Sequence, residues 1–335
     1  ETELSDTVDT LLAKVQKFLD DITLPNGRLP LIGDTRAEDK AGKAFIPQEK
    51  EVMEILNYTE SGYAIIRGRT ASGHIFHLII KSAHLSDYHR HDDDLSFHLF
   101  FDDRVVFGDG GLYMYNEQDP KRLFVRSPLA HNTVFPVGYK AERQRKNLHP
   151  PPSLHYDKQR NVFTARTSCY GGVLERQFNV SELTQGRLHI KDQWIEKPKQ
   201  YKDGLTANFF VPEVDTTALT INESAVKSKE CLIKIRASKD TQTPIVERVF
   251  DAPDAPVIQA LEFGKDAPAC RLALQTQNNI AAYTIELDTQ DPFLNALFEN
   301  QLQSFSQNEL GKHLWDFTPA KKSTPDDLDY VERII

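Results

Sequence analysis

The feature of this sequence that most constrains its fold is a long succession of short apolar runs separated by turn-forming residues. The first runs are "GYAIIRGR" (62–69), "GHIFHLIIKS" (73–82), and the pair "LSFHLFF" (95–101) and "RVVFGDGG" (104–111). The later runs are "NVFTARTSCY", "VLERQFNV", "RLHIKDQWI", "LTANFFV", "ECLIKIRA", "PIVERVF", "CRLALQT" and "AAYTIEL". Each is rich in β-branched or aromatic side chains and bounded by Gly, Pro, Asn or Asp. The pattern predicts a mainly β protein with a large antiparallel β-sandwich, in which Asp102 and Asp103 close a hairpin.

One amphipathic helix is predicted near the start of the chain, over residues 4–22. Its apolar side chains recur at helical spacing, and "LPNG" (24–27) ends it. A helix with one apolar face needs a partner, so we expect this face to pack on the following domain or on helices further upstream. A second short helix is predicted in "PFLNALFENQLQSF" (292–305). Because the sequence opens at Glu1 without Met, we expect a processed, trimmed or partial chain.

Composition excludes several classes of protein. A net charge of −9 and a pI near 5.7 argue against a broad nucleic-acid surface, although "YKAERQRK" (139–146) forms a local basic stretch. No apolar run approaches the length of a membrane-spanning helix, so membrane insertion is not expected. Cys169, Cys231 and Cys270 are too few and too scattered for a disulfide framework or a cysteine zinc site.

Residues 89–134 concentrate histidine, aspartate and glycine in one stretch of the predicted β region. His89 and His91 are two residues apart, so an extended strand would point both toward one pocket. Asp109 lies in the "GDGG" turn, and His131 lies in "AHNT" before another strand. Two imidazoles and a carboxylate are suitable zinc ligands, so His91, Asp109 and His131 form a candidate metal site. The alternative is that they are ordinary surface turn residues.

The same stretch contains candidate groups for proton transfer and anion binding. His89, Tyr113, Tyr115 and His131 could act as acids or bases, whereas "LYMY" could equally be a strand with packed aromatic rings. Arg122 and Arg126 could clamp a carboxylate, and Asn132 is a further predicted substrate contact. The acidic run 92–94 predicts a solvated turn, unless one carboxylate binds a histidine and fixes its tautomer.

The ordered set "SGYAIIRG", "HRHDDDLSFHL", "VFGDGGLYMY" and "RSPLAHNTV" resembles the C-terminal β-domain of the heparinase II/III-like family of polysaccharide lyases. The resemblance runs from about residue 60 to 180. In addition, "FLDDITLPNGRLPLIGD" is similar to the last helix and exit segment of the family's α/α-toroid domain. The resemblance therefore implies a division into residues 1–40, left from a toroid, and residues 41–335, the β-sandwich domain.

The resemblance also implies roles for individual residues. His91, Asp109 and His131 match zinc ligands of a structural site, and His89 matches a residue that faces the substrate. The implied reaction is β-elimination at a uronic acid of an anionic polysaccharide such as heparan, alginate or a capsular polymer. In the family, a tyrosine, a histidine and an amide of the toroid do much of this chemistry, and none has a matching position here.

We therefore expect this chain to need an upstream toroid and to be inactive or weak alone, and the resemblance implies a periplasmic or secreted bacterial location. Three other functions remain open: a non-catalytic carbohydrate-binding or assembly module, a metal-dependent hydrolase, and a uronyl C5-epimerase.

Overall fold

The structure is a computed structural model that describes residues 2–83, 89–139, 150–212, 220–222, 225–228, 231–237, 245–249 and 257–288. Its helices are α1 (Thr2–Ile22) and α2 (Pro120–Arg126). The strands in the first half are β1 (Val52–Tyr58), β2 (Tyr63–Arg69), β3 (Ile75–Lys81), β4 (Ser96–Phe101), β5 (Arg104–Phe107), β6 (Val134–Pro136), β7 (Ser153–Asp157) and β8 (Val162–Thr167). The strands in the second half are β9 (Val173–Asn179), β10 (Arg187–Glu196), β11 (Leu205–Val211), β12 (Thr220–Asn222), β13 (Ala225–Ser228), β14 (Cys231–Ala237), β15 (Ile245–Val249), β16 (Ile258–Glu262), β17 (Lys265–Pro268), β18 (Cys270–Thr276) and β19 (Ile280–Asp288).

Antiparallel sheets form the body of the molecule. Strands β1 to β5 form a five-stranded sheet in sequence order, and a larger sheet has the order β12-β13-β14-β19-β10-β9-β8-β7. A third sheet has the order β15-β18-β11-β6, and β16 pairs with β17 as a separate hairpin. All of the pairings are antiparallel, as the short runs and tight turns predict.

The main core lies where these sheets face one another. Ring contacts link Phe97 of β4 to Phe178 of β9 and to Phe209 of β11, with centroids 6.0 and 6.3 Å apart. Phe209 also meets Tyr283 of β19 at 6.2 Å. One aromatic cluster therefore joins all three large sheets, which is the packing expected of a β-sandwich.

The end of α1 and the segment that follows it cover the outer face of the five-stranded sheet. Leu24 is 1% exposed and packs with Ile65, Ile79 and Phe100. The ring of Phe18 meets that of Tyr58 edge-on, with centroids 5.1 Å apart. We call residues 23–40 the exit segment, because they lead from α1 along this face toward the loops described below.

The first half of α1 is different, because its apolar side chains point to solvent. Val8, Leu11, Leu12 and Val15 are between 46% and 60% exposed. The helix predicted over 4–22 is confirmed, but among the described residues only its last turns have an apolar partner.

The predicted mainly β architecture is confirmed, including the β4–β5 hairpin with Asp102 at φ 60°. Some elements were not predicted, notably β1, β7 and α2. The predicted helix at 292–305 and most of the basic stretch 139–146 lie outside the described residues. No helix in the described part of the chain has the length and apolar character to cross a membrane.

Candidate functional site

Three neighbouring loops carry the candidate site residues except Arg122 and Arg126, which lie on α2. We call the three loops the histidine loop (89–95, before β4), the glycine loop (108–119, between β5 and α2) and the third loop (127–133, before β6). The exit segment lies against them, since the amide of Leu112 donates to the carbonyl of Thr35 at 3.2 Å.

His91, Asp109 and His131 are brought together from the three loops, as the sequence predicts. One nitrogen or oxygen of each lies within 4.8 Å of the others, and all three residues are buried. The rings of His91 and His131 have centroids 5.4 Å apart, and His131 Nδ1 is 2.9 Å from Asp109 Oδ2. The alternative interpretation, in which these are exposed turn residues, is therefore wrong.

Glycine is required where the glycine loop turns beneath the cluster. A Cβ at Gly110 would stand 2.9 Å from the Cβ of Ala130 and 3.0 Å from that of Val125. Gly111 has φ +66°, a backbone conformation that residues with a side chain rarely adopt. These two glycines let the backbone close tightly, so that the carboxylate of Asp109 reaches His131.

The third loop is held by buried polar side chains. Asn208 Nδ2 donates to the carbonyl of His131 at 2.7 Å, and Arg176 Nη1 donates to that of Asn132 at 2.9 Å. The side chain of Asn132 is itself committed, because Nδ2 donates to the carbonyls of Phe97 and Gly108 and Oδ1 accepts from Phe210 N. Asn132 has no exposed surface. The prediction that it contacts substrate is therefore wrong, and its role is to fasten the loops.

Asp34 of the exit segment is the residue that sequence reasoning missed. Its Oδ1 lies 2.8 Å from His91 Nε2, and its Oδ2 lies 3.0 Å from His89 Nδ1. Both terminal nitrogens of Arg122 also donate to it, at 2.5 and 3.2 Å. In the sequence, Asp34 is a single acidic residue at the end of "PLIGD". No sequence pattern indicates that it lies beside residues more than fifty positions away. The alternative role predicted for the acidic run 92–94, a carboxylate bound to a histidine, belongs in the structure to Asp34.

His89 and His91 both contact the Asp34 carboxylate, but they do not do so from an extended strand, which was the predicted reason for their convergence. Residues 89–95 are not a strand, and His89 has φ 55°, a left-handed conformation uncommon for a residue with a side chain. The turn points the His91 ring inward, whereas the His89 side chain is 65% exposed. His89 is thus open to a ligand while it is oriented by Asp34.

The two predicted tyrosines differ in position. Tyr113 is only 8% exposed and packs in a small core with Phe124 and Phe210, so burial argues against its predicted catalytic role. Tyr115 is 55% exposed, and its ring centroid is 6.1 Å from that of His89. The region between β5 and α2 is not a strand, so the packed-strand interpretation of "LYMY" is also wrong.

The two predicted arginine clamps are already engaged within the protein. Arg122 is 3% exposed and forms the bidentate pair with Asp34. Arg126, one helical turn further along α2, pairs with Glu117 and donates to the carbonyl of Arg90 at 3.3 Å. The expectation that they grip a substrate carboxylate is not met, and they instead fasten α2 to the loops and the exit segment.

The acidic run of the histidine loop is mostly buried, which corrects the expected solvated turn. Asp93 has no exposed surface and pairs with buried Lys81 of β3, while Asp94 pairs with Arg90 at 3.2 Å. Burial acts to raise the pKa of Asp93, but the charge of Lys81 outweighs it and holds the pKa at about 2. A buried pair of this kind fixes the loop, because removal of either partner would strand a charge.

The electrostatics suit an ionised Asp34 carboxylate beside a neutral His91 imidazole, and they act in the opposite direction on His131. Burial opposes ionisation of Asp34, but the hydrogen bonds from His91 and Arg122 outweigh it and hold its pKa well below its usual range. Burial lowers the pKa of His91. For His131, burial acts in the same direction, but the adjacent Asp109 carboxylate reverses the effect and raises the pKa.

Comparison with known proteins gives the family of this fold. The family model "Heparinase II/III-like, C-terminal" matches residues 54–247, which is more than half of the chain. A search of curated proteins found no match.

Solved structures share the architecture. Heparan sulfate lyase HepC from Pedobacter heparinus superposes with a TM-score of 0.59 at 15% sequence identity, over 87% of this chain and 48% of that one. A structure of heparinase III gives a TM-score of 0.59 at 15% identity, over 84% of this chain and 49% of that one. The chain thus spans about half the length of these proteins, and at this identity the likeness is one of fold. On the family match, the chain belongs to the heparinase II/III-like family, whose C-terminal domain it contains.

Proposed function

We propose that this chain is the β-domain part of a polysaccharide lyase that cleaves a uronic-acid-containing polysaccharide by β-elimination. The observation that carries the proposal is the position of His89 and Tyr115, exposed side by side above the buried His91–Asp109–His131 cluster, in a chain of this family. Exposed imidazole and phenol groups on two adjacent loops are suited to contact a sugar substrate and to move protons.

We propose further that His91, Asp109 and His131 bind one zinc ion. The residues present fit that ion: two imidazoles and one carboxylate converge, and buried His131 Nε2 has no hydrogen-bond partner among the described residues. The contact between His91 Nε2 and Asp34 is the kind of outer carboxylate–histidine contact that orients a metal ligand. When bound, the ion would cross-link the three loops, and we assign it a structural role.

In the proposed reaction a base removes the C5 proton of the uronic acid. The electron pair forms a C4–C5 double bond, the C4–O4 bond breaks, and an acid protonates the departing O4. The C6 carboxylate carries the developing negative charge, so groups that neutralise it lower the barrier. On this chain His89 is the group we assign to substrate contact and proton movement, with Tyr115 beside it.

We also propose that an upstream helical toroid completes the cleft, with residues 1–40 as its end and 41–335 as the β-domain. The exposed apolar side chains of Val8, Leu11, Leu12 and Val15 support this, because a helical neighbour would cover them. The relatives of known structure are about twice as long as the part they share with this chain. By the same resemblance we propose a periplasmic or secreted location.

The test is to follow ultraviolet-absorbing unsaturated ends from heparan sulfate and alginate, using this chain and a longer form that carries a preceding helical domain. We expect the longer form to produce unsaturated ends and this chain to produce few or none. His89→Ala in the longer form should lower turnover by about 100-fold or more. Rapid turnover by residues 1–335 alone, or cleavage that leaves saturated non-reducing ends, would contradict the proposal.

A further inference from the structure

The hairpin formed by β16 and β17 places a half-exposed aromatic ring next to the candidate site. Its turn consists of Phe263 and Gly264, and Gly264 has φ +75°. Phe263 is 51% exposed, although phenylalanine is among the residues most often buried. The hairpin lies beyond residues 54–247, the range matched by the family model.

The hairpin is fastened to the glycine loop by its backbone. The amide of Ala260 donates to the carbonyl of Gly110 at 2.9 Å, and the amide of Gly264 donates to the carbonyl of Tyr113 at 2.7 Å. The carbonyl of Asp109 accepts a hydrogen bond from Gln259 at 3.3 Å. The hairpin therefore lies beside the candidate site, and hydrogen bonds to Asp109, Gly110 and Tyr113 fix its position on the glycine loop.

An ion pair holds the other side of the same hairpin. Lys121 at the start of α2 lies 2.7 Å from Asp266 of β17. Because both the loop and the helix hold the hairpin, the position of Phe263 is set before any ligand arrives. A ring that is already ordered costs little further entropy when it binds.

The rings of Phe263 and Tyr115 adjoin one another. Their centroids are 5.7 Å apart, with an angle of 48° between the planes. Tyr115 is also held by Arg122, whose guanidinium carbon lies 5.7 Å from the ring centroid. The two rings thus form a small, fixed aromatic surface that continues to His89.

We propose that Phe263 and Tyr115, together the aromatic shelf, form a subsite that stacks on a pyranose ring of the polysaccharide. This inference rests on the proposed function and names a binding contact for it. The face of a pyranose carries C–H groups, which pack against the negative face of an aromatic ring, while its hydroxyls stay at the edge in contact with water and polar groups. Polar side chains border the shelf: the ion pair Lys265–Glu262 flanks Phe263, and the imidazole of His89 flanks Tyr115.

Two half-exposed rings with charged neighbours match a single amphipathic sugar ring better than a protein partner, which would need a much larger apolar area. We assign Phe263 to substrate affinity alone, since a phenylalanine ring has no proton to exchange, whereas Tyr115 adds its ring face to the shelf and keeps its phenol beside His89. The next sugar along the chain would then reach His89.

The test is direct binding to the full chain, measured by isothermal titration calorimetry. The probes are a heparan sulfate oligosaccharide and an alginate oligosaccharide, each used separately. Phe263→Ala should weaken the binding of whichever probe the wild type binds by about tenfold, and Phe263→Trp should retain it. Phe45→Ala is the matched control, because Phe45 is 43% exposed but stacks on Arg67 instead of Tyr115, and it should bind as the wild type does.

The outcomes separate this inference from the function on which it depends. If the wild type binds a probe and Phe263→Ala binds it equally well, the shelf is wrong while the uronate proposal stands. If neither the wild-type chain nor the longer form with its helical domain binds a probe, the uronate proposal fails and the shelf fails with it; if only the longer form binds, equal binding by its Phe263→Ala variant would overturn the shelf alone. Thermal unfolding of each variant checks folding, and loss of binding by a folded Phe263→Ala together with retention by Phe263→Trp supports the shelf.

Discussion

At the scale of single residues, Asp34 joins groups that are far apart in the sequence. Its carboxylate contacts His91, His89 and Arg122, and its side chain is only 3% exposed. One residue of the exit segment thus orients a proposed metal ligand, a proposed substrate contact and an arginine of α2.

Asp34→Asn should weaken zinc binding by about 10- to 100-fold, because the His91 ring loses its charged hydrogen-bond partner. The same change should lower the free energy of unfolding by roughly 3 kcal/mol, since buried Arg122 loses its bidentate carboxylate partner and keeps only Glu117, 3.3 Å from its Nε. Competition with a chromophoric chelator and denaturant unfolding measure the two effects.

The matched control is Asp39→Asn, which removes a carboxylate from the same segment. Asp39 pairs with Arg36 at the surface, so this variant should change the free energy of unfolding by less than about 1 kcal/mol and keep zinc affinity unchanged. Equal zinc affinity in Asp34→Asn and the wild type would show that Asp34 does not position His91.

Two buried histidines should make the fold sensitive to mild acid. Burial lowers the pKa of His77 to about 3 and that of His98 to about 4. Around His77 the nearby charged or titratable groups are Arg67, His98 and Asp21. The unfolded chain takes up a proton near pH 6.5, whereas folded His77 stays neutral until about pH 3. Stability is therefore fully present above pH 6.5 and falls as the pH drops toward 3.

His77→Leu should reduce this sensitivity, because it removes one group that protonates on unfolding. Between pH 6.5 and 5 the slope of unfolding free energy against pH should decrease by about 1 kcal/mol per unit. Exposed His155 provides the control, and His155→Leu should leave the slope unchanged. Identical slopes for His77→Leu and the wild type would mean that His77 is already protonated or solvated in the fold.

At the scale of elements, α2 is short, but its arginines form ion pairs that hold the loops and the exit segment together. Its cap is Asp119, whose side chain accepts from the amides of Lys121 and Arg122 at 2.8 and 3.3 Å, and Pro120 follows at the first helical position. A seven-residue helix has little stability of its own, so its cap matters.

Asp119→Ala should lower the free energy of unfolding by about 1 kcal/mol, and Asp119→Ser should recover most of that loss. Denaturant unfolding of the two variants provides the measurement. No difference between Ala and Ser at this position would indicate that tertiary contacts, and not the cap, hold α2.

The sequence predicts the strands well because their apolar residues are local and periodic. It predicts His91, Asp109 and His131 because their motifs occur in a recognisable order. It misses α2, which is too short to establish a helical period, although Asp119-Pro120 is a start signal. It also misses Asp34 and Phe263, which reach the site only through tertiary packing, and it assigns Asn132 and Arg122 to substrate because burial is not visible in a motif.

At the scale of the whole molecule, the exposed apolar side chains of α1 indicate a surface on which a helical neighbour would pack. Leu11 is 60% exposed. At about 100° per residue, Ala13 falls on the opposite side of the helix. The two positions therefore allow a matched test of the proposed helical neighbour.

Leu11→Glu should leave the stability of this chain within about 0.5 kcal/mol of wild type, because the side chain is already in water. In a longer form with the helical domain it should lower the melting temperature by several degrees, and Ala13→Glu should not. Differential scanning calorimetry of both lengths measures this. If both lengths tolerate Leu11→Glu equally, α1 does not pack on such a domain.

The account as a whole depends on a metal ion joining the three loops. The most direct measurement is zinc per chain by elemental mass spectrometry after exhaustive dialysis, for the wild type, His91→Ala, His131→Ala and the exposed-histidine control His155→Ala. We predict about one zinc per chain in the wild type and in His155→Ala, and almost none in the other two variants. A metal-free wild type after refolding in zinc, or unchanged zinc in His91→Ala and His131→Ala, would contradict the account.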